Sequence, residues 1–369
     1  MKIKKNLDYT LIIAIVLLII FGLIILYSAS YQKKLTTERN FIIRQGIWVV
    51  IGLFCAWLVV RLNHHKFIEL AYLLYGLNIL MLILVLVPGI GSGLYANRWL
   101  GFGGIYIQPS EFAKLTLVLA LARYLGLDAG DVRNPRAFLL PLVMTAVPMG
   151  LIFIQPDLGT AVIFIPILII MFYTAGVRLK HLLIMIGTGL VTAPWLGYLL
   201  YKLHIIKNYQ VRRLLVFIKP DFEPLGAGYT IIQSKIAIGS GQLMGKSWLG
   251  GTQNRLNFLP ERHTDFIFSV VGEEWGLMGA CFLLLLYFVI IQRGLSIGAE
   301  VNNKTGRLTA IGLVSVILCH VIVNTGVATG IMPVTGLSLP LVSYGGSSII
   351  TTLIAVGLLL SIRLREHVF

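Results

Sequence analysis

Leu259-Pro-Glu-Arg-His-Thr-Asp-Phe-Ile-Phe-Ser-Val-Val-Gly-Glu-Glu-Trp-Gly276 is the stretch from which the rest of this chain can be understood. It carries Glu261, Arg262, His263, Asp265, Glu273 and Glu274, then runs into an apolar segment reaching Ile291. That apolar length crosses a bilayer core of about 30 Å as a helix. Charges at such a boundary are costly to desolvate and are usually kept for function. Asp265 stands where an extramembrane loop becomes a spanning helix. A carboxylate there is partly desolvated and still reaches a polar substrate, which suits a general base.

The composition agrees with a membrane chain. Of 369 residues, 57% are hydrophobic and only 12% charged, with a mean hydropathy of +0.88. Soluble domains carry about a quarter charged residues. The net charge of +15 is scattered over helix ends, which suits topology and anionic lipid rather than nucleic acid. Cys55, Cys281 and Cys319 all lie in apolar runs, so no disulfide framework is expected. The apolar run after Lys2, Lys4 and Lys5 is long for a signal peptide, and it is taken as an uncleaved first helix.

Outward from the opening stretch, apolar segments fall near 10–30, 41–60, 68–88, 112–127, 137–155, 159–176, 181–201, 266–292, 308–330 and 345–363. The fold class expected is an all-α polytopic membrane protein, one domain over 1–369. It has ten transmembrane helices and a large outer loop, 202–265, between helices 7 and 8. The fourth segment is the weakest, crowded by Glu111, Lys114 and Arg123. Lys and Arg dominate the short segments on the side of the termini, including Arg61, Lys66, Arg178, Arg293 and Arg363, which places both termini in the cytoplasm. The outer loop is rich in glycine and in bases, with Tyr209 to Ile218 expected as an interfacial amphipathic helix and Gln233 to Ile238 as a second. It is expected to form a lid. Leu308 to Ile362 holds no Asp, Glu, Lys or Arg, and two helices there flank a Gly/Pro/Ser-rich hairpin. Irregular backbone at membrane depth must line a cavity or be buried in protein.

Three constellations carry chemistry. If the helix includes both, Asp265 and Glu273 lie within about 80° of each other, with Ser269 between. They would line a cavity, or enter an arginine-paired network. Asn97-Arg98-Trp99 precedes Gln108-Pro-Ser-Glu111, with Glu111 and Lys114 on one helical face. They close a helix start as an ion pair or aim into a cavity, and Arg98 is placed to grip phosphate. Gln155-Pro-Asp157-Leu-Gly-Thr160 is a tight turn in which Asp157 shapes the turn, lines a cavity mouth or binds a cation. There is no P-loop, HExxH or CxxC, and His320 is taken as a core histidine.

Together these motifs resemble the SEDS family (shape, elongation, division and sporulation), over nearly the whole chain. Asn97-Arg-Trp99, Gln108-Pro-Ser-Glu111, Gln155-Pro-Asp-Leu-Gly159, Leu259 to Gly276 and Pro340-Leu-Val-Ser-Tyr-Gly-Gly-Ser-Ser348 carry the resemblance in order. Gly228 to Gly241 and Pro260 to Asp265 are closer to its elongation branch than to its division branch. The resemblance implies a peptidoglycan glycosyltransferase polymerising lipid II at the outer face of the cytoplasmic membrane, for elongation and rod shape. It makes Asp265 the catalytic carboxylate. Glu111, Lys114, Arg98, Asp157, Glu273, Arg212 and Ser343 are then substrate or cavity residues. It implies a divalent cation, Mg or Mn, with ligands left open between Asp157 and Asp265, and no organic cofactor. The partners implied are lipid II, a class B penicillin-binding protein and other elongation-complex proteins, with no nucleic acid. The partner's single span is expected to pack on 308–330 and 345–363 through small residues such as Gly312, Gly326 and Gly357. A lipid II flippase is the alternative, and a pure scaffold for wall-synthesis partners ranks below it.

Overall fold

The computed structural model describes residues 7–31, 40–87, 98–102, 105–128, 135–202, 208–219 and 226–366. Asn97, and residues 203–207 and 220–225 of the outer loop, lie outside them. In chain order the helices are α1 (Tyr9–Ser30), α2 (Asn40–Leu62), α3 (His64–Glu69), α4 (Ala71–Leu86), α5 (Pro109–Arg123), α6 (Leu139–Ile154), α7 (Leu158–Ala175), α8 (Leu179–Lys202), α9 (Asn208–Ile218), α10 (Ala227–Ser240), α11 (Thr252–Arg255), α12 (Ile267–Glu300), α13 (Lys304–Thr329) and α14 (Gly346–Glu366). Every apolar segment expected from the sequence overlies one of them. Among the described residues seven helices are long and apolar enough to cross a membrane, and Ala71–Leu86 and Leu139–Ile154 are shorter apolar helices. The chain is a multi-pass membrane protein.

The fold is not purely helical. Leu100–Phe102 (β1) pairs antiparallel with Ile105–Ile107 (β2), Gly101 opposite Tyr106.

The chain divides into two compact units. The first comprises Met1–Val59, Arg213–Ser296 and Ile317–Leu360, and the second Val60–Arg212, Ile297–Val316 and Ser361–Phe369. The core of the second is built around α5, which touches α3, α4, α6 and α7. Twelve of its residues are buried, including Ser110, Glu111 and Lys114. The weakest apolar segment is therefore one enclosed by protein. Its neighbours there are helices rather than lipid, so it tolerates charge that a lipid-facing helix would not.

In the first unit α12 is broken at Gly276 (φ 63°, ψ −159°). The N–H groups of Leu277 and Met278 donate instead to the carbonyls of Gln242 (2.9 Å) and Leu243 (3.1 Å). A Cβ on Gly276 would lie 2.4 Å from the Gly245 nitrogen, so glycine is required for both its φ and this approach. The break costs no backbone pairing because the preceding loop supplies the acceptors.

The small residues of α13 and α14 are used inside the units. A Cβ on Gly312 would meet Val118 at 2.6 Å, one on Gly326 would meet Met332 at 2.9 Å, and one on Gly357 would meet the Ala56 carbonyl oxygen at 2.8 Å. These glycines therefore do not offer the partner-docking face expected from sequence. They let the chain's own elements pack closely.

Candidate active site

Asp265 is not on α12. It lies in the turn 261–266, and the helix begins at Ile267. The turn closes on itself, with the Asp265 N–H donating to the Glu261 carbonyl at 3.1 Å. Three consecutive carbonyls are then taken by three different donors. Tyr344 N–H donates to His263 O at 2.9 Å, Ser343 Oγ to Thr264 O at 2.6 Å, and Asn324 Nδ2 to Asp265 O at 3.0 Å. Arg262 Nε donates to Ala29 O at 2.8 Å. The charge-free hairpin after α13 thus supports the charged turn, and its irregular backbone is satisfied within protein. The Asp265 carboxylate is half-buried, and an added Cβ on Gly336 would be 3.7 Å from its Oδ2.

Ser343 has an internal role. Besides donating to Thr264, its hydroxyl accepts from Leu339 N–H at 2.8 Å. Its carbonyl accepts from Gln45 Nε2 at 3.0 Å. Ser343 thereby ties the hairpin to the turn that carries Asp265.

Glu273 also differs from expectation. With Asp265 off the helix, the shared helical face does not form. The buried Glu273 carboxylate accepts from Lys246 Nζ (3.0 Å), Thr252 Oγ1 (3.1 Å), Gln253 N (2.9 Å) and Asn254 N (3.3 Å). Glu274 accepts from Ser28 Oγ at 2.5 Å and Asn254 Nδ2 at 3.2 Å. Both acids anchor the end of the loop 202–265, as a carboxylate rich in acceptor sites can.

The second unit holds the other motifs. Lys114 Nζ lies 2.7 Å from Glu111 Oε1, both buried, so the pair expected from their spacing forms. Arg98 Nε donates to Gln155 O at 3.0 Å, and Nη2 donates to Pro156 O. The arginine therefore braces the turn at Gln155. Gln155 Nε2 in turn reaches Leu82 O at 2.9 Å. Asp157 caps α7, accepting from Thr160 N (3.3 Å) and Thr160 Oγ1 (3.0 Å), and it accepts from Gln108 Nε2 at 3.3 Å. Of its open readings, turn formation is the one the contacts fill. Arg212 is exposed on α9.

Among the described residues no three His, Cys, Asp or Glu side chains converge to hold a metal ion. Asp157 is occupied as a cap.

Sequence reasoning missed Asn324 and Gln45, both buried amides that brace the turn or hairpin. Their signal was an uncharged polar residue inside an apolar run, hidden by attention to charges.

A multi-pass helical protein with one half-buried carboxylate on a braced turn, at the start of a spanning helix, has the form of a membrane-embedded enzyme. The chain belongs to the FtsW/RodA/SpoVE family, described as cell cycle protein, whose model matches residues 9–367. Peptidoglycan glycosyltransferase MrdB of Escherichia coli K12 is 39% identical over 364 residues, 98% of this chain and 94% of that one. The probable peptidoglycan glycosyltransferase FtsW of Trichlorobacter lovleyi is 36% identical over 360 residues, 96% and 92% of the two chains. A chain solved in work on polymerization and crosslinking by a peptidoglycan synthase complex matches with a TM-score of 0.82 and 32% identity, covering 98% of this chain and 99% of that one.

Proposed function

We propose that this chain polymerises lipid II into glycan strands with Asp265 as general base. The chain is a peptidoglycan glycosyltransferase, the activity that the names of its near full-length relatives share. The observation that carries the role of Asp265 is its turn. The backbone that carries this half-buried carboxylate is held by bonds to three consecutive carbonyls, so the turn is set before substrate arrives. The acceptor sugar hydroxyl attacks the anomeric carbon of the donor. Its proton passes to the Asp265 carboxylate as the new C–O bond forms, and the bond from the anomeric carbon to the undecaprenyl pyrophosphate oxygen breaks. A single displacement inverts the α-linked donor to a β-linked product.

The leaving pyrophosphate is already anionic and calls for cations rather than an acid. Arg98 supports this role in the second unit, since among the described residues its guanidinium pairs with carbonyls and not with a carboxylate. Lys114 is committed to Glu111 and Arg212 is exposed, so both are weaker supports. An expected Mg or Mn would be held by the pyrophosphate with one or two protein carboxylates, as magnesium commonly binds, and would supply further positive charge to the leaving group.

The reading places the chain in the cytoplasmic membrane, with ten spans, both termini in the cytoplasm and the loop 202–265 outside. It takes residues 1–369 as one SEDS-type domain. The elongation role is supported by the Gly228–Gly241 and Pro260–Asp265 motifs. A class B penicillin-binding protein and other elongation-complex proteins are the proposed partners. Purified protein given lipid II should form glycan polymer visible on gels, and Asp265→Asn should form none. Lipid II crossing vesicle bilayers without polymer would favour the flippase reading instead.

A further inference from the structure

We infer that Asn324 is a positioning residue for the transfer, setting the orientation of Asp265 through its main chain. This rests on the reading of Asp265 as general base. Asn324 lies in α13, 1% exposed, within the same unit as Asp265. Its Nδ2 donates twice, to Asp265 O at 3.0 Å and to Leu337 O at 2.7 Å. Both partners are carbonyl oxygens, so only the amide NH2 can face them, and the orientation of the side chain is fixed by chemistry. The consequence is that Oδ1 points elsewhere, and it is buried without a hydrogen-bond partner.

A bare buried carbonyl is destabilising. An apolar side chain of similar shape would avoid that cost. What it could not do is tie two separate main-chain segments to one point. One segment is the turn that presents Asp265. The other is the hairpin segment holding Gly336 (φ +77°), where an added Cβ would lie 3.7 Å from Asp265 Oδ2. Asn324 therefore fixes both the carboxylate's own backbone and the segment around Gly336 that faces it. The other donors on this turn, Ser343 and Tyr344, act on the preceding carbonyls, while Asn324 acts on the carbonyl of the acid itself. Local buttressing that has no bearing on chemistry would lower the amount of folded protein. Positioning lowers turnover by the protein that is folded.

The test compares Asn324→Leu and Asn324→Asp with Tyr287→Phe in full-length protein supplied with lipid II. Tyr287→Phe removes another buried bond to the same hairpin, Tyr287 Oη to Pro340 O at 2.5 Å, and serves as the matched structural loss. Leucine removes both donors without adding charge. Aspartate keeps the shape and retains at most one donor. The expected result is that kcat of both Asn324 variants falls by about 10-fold to 100-fold, as a small misplacement of a catalytic group does. KM for lipid II should stay near the wild-type value, and Tyr287→Phe should keep kcat per folded molecule. Wild-type kcat in folded Asn324→Leu would overturn the inference, as would a loss in Tyr287→Phe equal to that of both variants. If instead Asp265→Asn retains polymerisation, the underlying reading fails and the inference falls with it. An inactive Asp265→Asn beside a fully active Asn324→Leu sinks the inference alone.

Discussion

Lys246 Nζ lies 3.0 Å from Glu273 Oε1, joining the loop 202–265 to a carboxylate buried in α12. Thr252, Gln253 and Asn254 meet the same carboxylate, and the loop backbone caps the break at Gly276. The last part of the outer loop is therefore an anchored segment. A lid made of the entire loop, as its glycines suggested, is not what these bonds describe.

Hydrogen exchange should report that difference. Amides of 241–256 should exchange more slowly than those of α9, where Arg212 and Leu215 are exposed. Equal exchange across both segments would count against an anchored segment.

Replacing Glu273 by Gln should release the anchor without stopping the chemistry outright. A hydrogen bond to a charged group contributes about 1.5–3 kcal/mol. The variant should lose stability on that scale and exchange faster over 246–254. Polymerisation should fall less than in Asp265→Asn. A Glu273→Gln protein as inactive as the Asp265 variant, with unchanged stability, would return Glu273 to the reacting groups.

Asp265→Asn keeps the shape of the side chain and the bonds to the main-chain carbonyls of His263, Thr264 and Asp265. Loss of a general base costs about 100-fold to 10,000-fold in rate. Polymer formation should drop by that order while the protein accumulates normally in membranes. Near-normal glycan output would remove Asp265 from its role.

Glu111 and Lys114 form a buried pair, so removing either partner strands the other charge, at a cost of about 3–5 kcal/mol. Single substitutions to Ala should sharply reduce both thermal stability and activity. The exchanged pair Glu111→Lys with Lys114→Glu separates structure from chemistry. Recovered stability without recovered activity is expected from residues that also serve substrate. Full recovery of both would leave them a structural pair only.

The sequence by itself determined the class and the order of the helices, because apolar length is a local property that lipid thickness selects. It located Asp265 at a loop-to-helix boundary and the Glu111–Lys114 pair, since a charge beside an apolar run is visible in one dimension. Tertiary structure decided what each polar group does. Glu273 is within reach of Lys246, and Ser343 of Thr264, only after segments far apart in sequence come together. Asn324 looked like an ordinary residue of an apolar run, and its value lies in two carbonyls supplied by two other segments. The glycines of α13 and α14 looked like a docking face and instead admit the chain's own neighbours. Whether a small or polar residue faces lipid, a substrate or its own fold depends on which surfaces meet, and periodicity along one helix does not carry that information.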